Sequence, residues 1–181
     1  MSTLSRIPQR LSATALMPDT KVKNLHVWED HLNPKRFKPL GDGFFYQDMG
    51  TRDDDRVIIH DGKVIGRYSN SFGGFDDFKI VNPHSVLLPE YRGRGLMRRL
   101  YQQVLNEGYC FISGERHSYS ANRLWQSLAK TNPWFLVKQL NPDTLKFLGQ
   151  DINPKVAQRK DVRIVLLGKG WSVEKFMRKT S

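Results

Sequence analysis

The sequence predicts a mixed α/β fold in which helices cover a partly antiparallel sheet, and three observations predict it. Two β-branched runs, Arg56–His60 and Val64–Tyr68, are joined by Asp61-Gly-Lys. An Asp-Gly between such runs favours a tight hairpin, because Gly readily takes the positive φ it needs. An apolar run ending at Leu88 leads into a Pro-led turn, a glycine-spaced basic loop and a helical pattern at Leu96, Leu100 and Val104. A second strand–helix pair follows, Tyr109–Ser113 and then Leu124, Trp125 and Leu128 at helical spacing. A hairpin feeding strand–helix–strand–helix is a layered architecture.

Taken in order, Met1–Pro18 holds Arg6 and Arg10 and no acid, a composition loosely like a transit peptide but more consistent with an N-terminal arm. Lys21–Trp28, with Val22, Leu25 and Val27, is expected to hold a first strand. Pro34 and Pro39 make Glu29–Gly43 an irregular connection. Phe44–Gln47 reads as a strand, and Ser69–Asp77 as a Gly/Ser/Asp loop. Phe78–Leu88 is a strand with a bulge or sheet edge expected at Asn82-Pro83, since Pro offers no N–H to a ladder. Leu96–Glu107 is the clearest helix, with Gly108 at its C′ position. Ser118 or Ser120 would cap the helix of Ser118–Lys130. Trp134–Leu140 and Val162–Leu167 are late strands, with a short helix expected around Asp143–Leu148 and a terminal one at Trp171–Lys179.

The 181 residues suggest a single domain, with an atypical N-terminal segment 1–43 and a basic C-terminal extension 168–181. No apolar run approaches the roughly 20 residues needed to span a bilayer, so an integral membrane protein is not expected. The single cysteine, Cys110, excludes an internal disulfide and fits a reducing, cytoplasmic setting. It lies between Tyr109 and Phe111 and reads as a buried, inert thiol. The five His and one Cys show no metal-ligand spacing. A formal charge of +11 suits phosphate-rich ligands, nucleic acid or simple solubility. No Lys/Arg run forms a dedicated nucleic-acid arm.

The chemistry concentrates at Leu87–Leu100. Gly93 and Gly95 flank Arg94, and a helix follows, so several backbone N–H groups are free at its N-terminus. Such groups hydrogen-bond phosphate, and the helix dipole favours the negative charge. Arg92, Arg94, Arg98 and Arg99 add positive charge beside them. The same pattern also fits a turn whose glycines merely permit it. A third Gly of a dinucleotide fingerprint and a Gly-Lys-Ser/Thr are both missing.

The run Leu87-Leu-Pro-Glu-Tyr-Arg-Gly-Arg-Gly-Leu-Met-Arg-Arg-Leu-Tyr101 resembles the GNAT superfamily of N-acetyltransferases, whose signature is an apolar strand, a Pro, an aromatic-Arg-Gly-x-Gly and a helix. The hairpin lies upstream at the family's distance. Downstream, Ser118-Tyr-Ser-Ala-Asn-Arg-Leu-Trp-Gln-Ser-Leu128 is similar to its Asn-x-x-Ala-x-x-Leu-Tyr helix. The resemblance covers roughly residues 56–130. It implies a mostly antiparallel sheet splayed at the cofactor site, with helices on both faces, and direct acetyl transfer from acetyl-CoA to an amine of a protein or small molecule. It further implies that Arg92, Gly93, Arg94, Gly95, Leu96 and Met97 cradle the pyrophosphate, that the pantetheine arm lies along Val86, Leu87 and Leu88, and that Ser118 stands where a cofactor-contacting Asn is usual.

There are departures. Glu90 opens the loop motif, Trp125 stands where many members carry a thiolate-protonating Tyr, and the usual Glu of the fourth strand aligns near Ile80 or Val81. Tyr119 and Ser118 are candidates for the displaced proton donor. For a base, the residues to consider are His84, Asp76, Asp77 and Glu115, with His84 favoured by its ordinary pKa and Glu115 by its place after a strand end. Ordered water would serve instead of any of them. The alternatives are a GNAT-fold enzyme acting on nucleic acid or its bound proteins, and a coenzyme A-binding protein that has lost catalysis.

Overall fold

The computed structural model describes residues 16–18 and 22–181; of the arm expected at Met1–Pro18, residues 1–15 lie outside them and Leu16–Met17 form a short strand. In chain order the strands are β1 (Leu16–Met17), β2 (Lys38–Gly41), β3 (Phe44–Asp48), β4 (Arg56–His60), β5 (Lys63–Phe72), β6 (Ile80–Leu87), β7 (Cys110–Ile112), β8 (His117–Ser118), β9 (Trp134–Asn141), β10 (Thr144–Gly149) and β11 (Val162–Leu166). The α-helices are α1 (Leu96–Asn106), α2 (Tyr119–Leu128), α3 (Pro154–Ala157) and α4 (Val173–Thr180). The mixed α/β class expected from the sequence holds. The described residues form two compact units, one of residues 22–71 and 83–101, the other of 16–18, 72–82 and 102–181, so that β6 and α1 each begin in one and end in the other.

In the unit of residues 22–71 and 83–101 the strands run in the order β6-β5-β4-β3-β2. The β4–β5 hairpin turns as expected, with Asp61 at φ 49° and Gly62 at φ 73°. Leu25, Val57, Ile59 and Val64 form a core against which Val22, Trp28, Val86 and Leu88 pack.

The strand expected at Lys21–Trp28 is instead a 3-10 helix, Leu25–His31. Val22, Leu25 and Val27 are spaced by three and two residues rather than by strand alternation, and only Leu25 is buried while Val27 is exposed. Residues 29–43, expected to be an irregular connection with at most short helices, hold the short 3-10 turn Pro34–Arg36 and also β2, where Pro39 is tolerated because β2 is an edge strand. β5 runs on through Ser69–Phe72, which the sequence assigned to a loop. Its extension is held by the acidic turn after β3: the Asn70 N–H donates to the Asp53 carbonyl at 2.7 Å, and Asn70 Nδ2 donates to Asp54 Oδ2 at 3.0 Å.

In the other unit the order is β10-β9-β11-β7-β6, with β6 and β7 parallel at Ile80↔Cys110 and Val81↔Phe111. Its core gathers Ile80, Cys110, Phe135, Val137, Val165 and Phe176. From residues 168–181, Phe176 enters that core, with Trp171, Val173 and Met177 packed against it. The short helix expected at Asp143–Leu148 is strand β10, paired antiparallel with β9 across a turn in which Asn141 Oδ1 accepts the Asp143 N–H at 3.3 Å. Leu145 is buried, and the Phe147 ring lies 5.4 Å from that of Phe135, so strand contacts outweigh local helical preference. A helix forms further on, at α3.

Of the bulge or sheet edge expected at Asn82-Pro83, the edge is what forms, since β6 pairs with β7 only at Ile80 and Val81. The Gly73 N–H donates to the Ile80 carbonyl at 3.3 Å and the Leu88 N–H to the Ile65 carbonyl at 2.9 Å, so residues eight apart both bond toward β5. Pro83 has the opposite parity, and its missing N–H takes nothing from that ladder. By the same parity, Ser85 and Leu87 turn their backbone groups away from β5. No helix among the described residues is long and apolar enough to cross a membrane.

Candidate functional site

The site is built from the end of β6, the loop of residues 89–95 and the first turn of α1. Pro89–Tyr91 forms a single 3-10 turn, closed by Tyr91 N–H to Leu88 carbonyl (3.0 Å) and Arg92 N–H to Pro89 carbonyl (3.2 Å). The chain then needs two left-handed residues to reach the helix, and Gly93 (φ 79°) and Gly95 (φ 72°) supply them. The first backbone bond of the helix is Arg99 N–H to Gly95 carbonyl, 3.0 Å. Upstream of it, the N–H groups of Gly93, Arg94, Gly95, Leu96 and Met97 have no acceptor among the described residues. These donors, at the N-terminus of an 11-residue helix, suit an anion.

The arginines divide their work. Arg99 Nη1 donates to the Leu40 carbonyl at 2.6 Å, and its Nη2 donates to Asp42 Oδ2 at 3.2 Å and the Arg94 carbonyl at 3.0 Å. Arg92 Nε donates to the Leu87 carbonyl at 3.1 Å. Both side chains therefore shape the loop. Arg94 is exposed, with its guanidinium 5.6 Å from the Tyr91 ring centre and 5.9 Å from that of Phe44. Phe44 in turn stacks on His60 at 4.5 Å. An arginine held on ring faces at the mouth of an amide-lined loop is placed for a phosphate group.

Of the strand residues, Leu88 spends its N–H on Ile65, while Leu87 and Ser85 face the other way. The sequence took Val86, Leu87 and Leu88 as equivalent; alternation separates them. His84 is exposed on β6, and its pKa lies below the ordinary value because nearby protein partly desolvates it. Ser85, which sequence reasoning did not single out, places its Oγ 2.9 Å from the Tyr101 hydroxyl. Only an i-to-i+16 spacing across a loop connects the two in sequence, and no motif signals it. Beside this strand lies a cleft of about 440 Å³ lined by apolar Leu25, Val64, Ile65 and Leu88 and by Glu29, Lys63, Glu90 and Tyr91.

Ser118, Tyr119 and Glu115 belong to the other unit. Ser118 caps α2, its Oγ accepting the Ala121 N–H at 3.1 Å. Tyr119, the first residue of α2, is exposed. Glu115 lies 3.7 Å from the Arg163 guanidinium, whose pKa burial lowers. Asp77 Oδ1 accepts the Lys79 N–H at 2.9 Å in the turn before β6. Trp125 is buried, its ring near Phe111 (6.2 Å) and His117 (5.4 Å). Cys110 is fully buried, and burial pushes its thiol up to about 12.

No family model matches the chain, and no curated protein sequence matches it. Among solved structures it is similar to diaminobutyrate acetyltransferase EctA from Paenibacillus lautus, in complex with L-2,4-diaminobutyric acid and coenzyme A, at 14% identity over 66% of this chain and 72% of that one, with a TM-score of 0.41. It is similar to the ribosomal-protein-S5-alanine acetyltransferase of Vibrio fischeri at 16% identity, over 72% of this chain and 65% of that one, TM-score 0.37. A GNAT-superfamily phosphinothricin acetyltransferase from Sinorhizobium meliloti, in complex with AcCoA, aligns at 21% identity over 71% of this chain and 63% of that one, TM-score 0.38. With TM-scores below 0.5, these likenesses decide nothing about this chain's chemistry, which rests on its own residues.

Proposed function

We propose that the chain is an acetyl-CoA-dependent acyltransferase that moves an acetyl group directly onto an amine. The observation that carries this reading is the run of backbone N–H groups from Gly93 to Met97 without protein acceptors at the start of α1, set in a sequence motif that resembles the GNAT signature. The residues fit the cofactor: the loop amides and Arg94 would hold its pyrophosphate, and the outward backbone of Leu87 would meet its pantetheine arm. When bound, the cofactor supplies an activated acyl thioester. The chain's own part is to orient that group, to present hydrogen-bond donors where charge develops, and to receive an amine in its neutral form. The cleft beside Leu88, lined by Glu29, Lys63 and Glu90 as well as apolar side chains, offers a place for a small polar acceptor.

One observation favours a second reading, a protein that binds coenzyme A without turnover. Trp125 occupies the position where the resemblance leads one to expect an acidic tyrosine, and it is buried among aromatic rings. Incubation with acetyl-CoA and a panel of small diamines and N-terminal peptides, with release of free thiol as readout, separates the two. Acceptor-dependent thiol release supports transfer; binding of acetyl-CoA with no release on any acceptor supports the second reading.

A further inference from the structure

The contact between Ser85 and Tyr101 has no place in the loop motif. Ser85 is exposed on β6, and its backbone faces the same way as that of Leu87. Its hydroxyl reaches Tyr101 on α1, which is 3% exposed. The Tyr101 ring is fixed edge-on against Tyr68, with centroids 5.2 Å apart and planes at 85°. Tyr68 is fixed in turn, because its hydroxyl donates to Asn70 Oδ1 and Asn70 Nδ2 donates to Asp54 Oδ2 at 3.0 Å. A chain of packed and bonded groups thus runs from the turn after β3 to the hydroxyl of an exposed serine on the strand assigned to the cofactor.

Burial raises the Tyr101 phenol above its ordinary pKa, so it keeps its proton over the working range. Either hydroxyl of the pair can donate across the 2.9 Å contact; with the phenol as donor, the serine's own proton is left for another acceptor. An acyl transfer that leaves charge on sulfur gains from such a donor.

We propose that Ser85 donates a hydrogen bond to the sulfur of bound coenzyme A, with Tyr101 as the positioning residue that sets its hydroxyl rotor. The proposal rests on the acetyl-CoA reading above. In the transfer, the amine nitrogen forms the C–N bond, and the C–S bond breaks with its electron pair left on sulfur. The proton shed by the nitrogen reaches sulfur through solvent. Ser85 holds its hydrogen bond throughout and gives up no proton, so neither it nor Tyr101 needs recharging.

The test is the titration of the coenzyme A thiol in its complex with the protein, followed by thiolate absorbance, in the wild type, Ser85→Ala, Ser85→Thr and Tyr101→Phe. The expected result is that Ser85→Ala raises the apparent thiol pKa by about one pH unit, which is about a tenfold weaker preference for thiolate. Ser85→Thr, which keeps the hydroxyl, restores the wild-type value, and Tyr101→Phe falls between. In turnover, Ser85→Ala lowers kcat by about 10- to 100-fold with KM for acetyl-CoA unchanged. If Ser85→Ala binds coenzyme A and titrates as the wild type does, the proposal is overturned while the cofactor reading stands. If the wild type itself fails to bind coenzyme A, the cofactor reading falls and takes the proposal with it.

Discussion

Arg99 ties the glycine loop to the end of β2 through the Leu40 carbonyl, which its Nη1 meets at 2.6 Å while Nη2 holds the Arg94 carbonyl at 3.0 Å. A residue that the sequence offers as a phosphate ligand is thereby a brace for the loop that holds the phosphate. The fork geometry of guanidinium is what allows one side chain to hold both carbonyls.

Replacing Arg99 should therefore loosen the loop and cost stability together. Arg99→Ala is expected to lower the unfolding free energy by about 1.5–3 kcal/mol, the range for hydrogen bonds to charged groups, and to weaken acetyl-CoA binding. Arg99→Lys, with one compact donor group, should recover charge but not the brace. Urea denaturation of the three proteins checks the stability, and calorimetry the binding. An Arg99→Lys protein equal to the wild type in both would show that only the charge matters.

Gly168 is demanded by space rather than by φ. A Cβ there would meet the Tyr109 carbonyl oxygen at 1.8 Å and the Leu105 carbonyl oxygen at 2.6 Å, both backbone atoms that cannot step aside cheaply. Gly168→Ala should cost at least about 3 kcal/mol, the upper end for overpacking, read as a lowered urea midpoint. By contrast, Gly170→Ala meets no atom within 4 Å and carries only the strain of its φ of 83°, so it should cost about 1–2 kcal/mol. Equal losses at the two sites would contradict the packing described for the segment after β11.

How much of this was legible in the sequence varies with the range of the interactions involved. The Asp61-Gly62 hairpin, α1 with its Gly108 stop, and the Ser118 cap all rest on local chemistry, and each stands as the residues suggested. The 3-10 helix at Leu25–His31, strand β10 and the extension of β5 do not, because they depend on distant partners: Val64 for Glu29, Phe135 for Phe147, and Asp53 for Asn70. At the site, the loop glycines announced themselves. The division of labour among the arginines and the Ser85–Tyr101 contact needed the third dimension.

Cys110 offers a test of the core around β7. Its thiol is raised to about 12 by burial, whereas in the unfolded chain it titrates near its ordinary value of 9.0. The folded state thus keeps a proton that the unfolded state loses, and the thiol's contribution to stability is intact below pH 9 and is lost as pH rises from 9 toward 12, at about 1.4 kcal/mol per pH unit. The urea midpoint of the wild type should fall more steeply over pH 9–11 than that of Cys110→Ala. At pH 8 a thiol reagent should label Cys110 only at the rate of unfolding. Rapid labelling of the native protein would contradict the burial.

The central claim is that the amides of residues 93–97 form a coenzyme A pyrophosphate site, and calorimetric titration with acetyl-CoA tests it most directly. The wild type should bind at micromolar concentrations. Gly95→Val, which forces a β-branched residue to the left-handed φ of 72° at the heart of the loop, should lose at least about tenfold in affinity. Absence of wild-type binding up to millimolar acetyl-CoA, or a folded Gly95→Val protein that binds as tightly as the wild type, would contradict the claim.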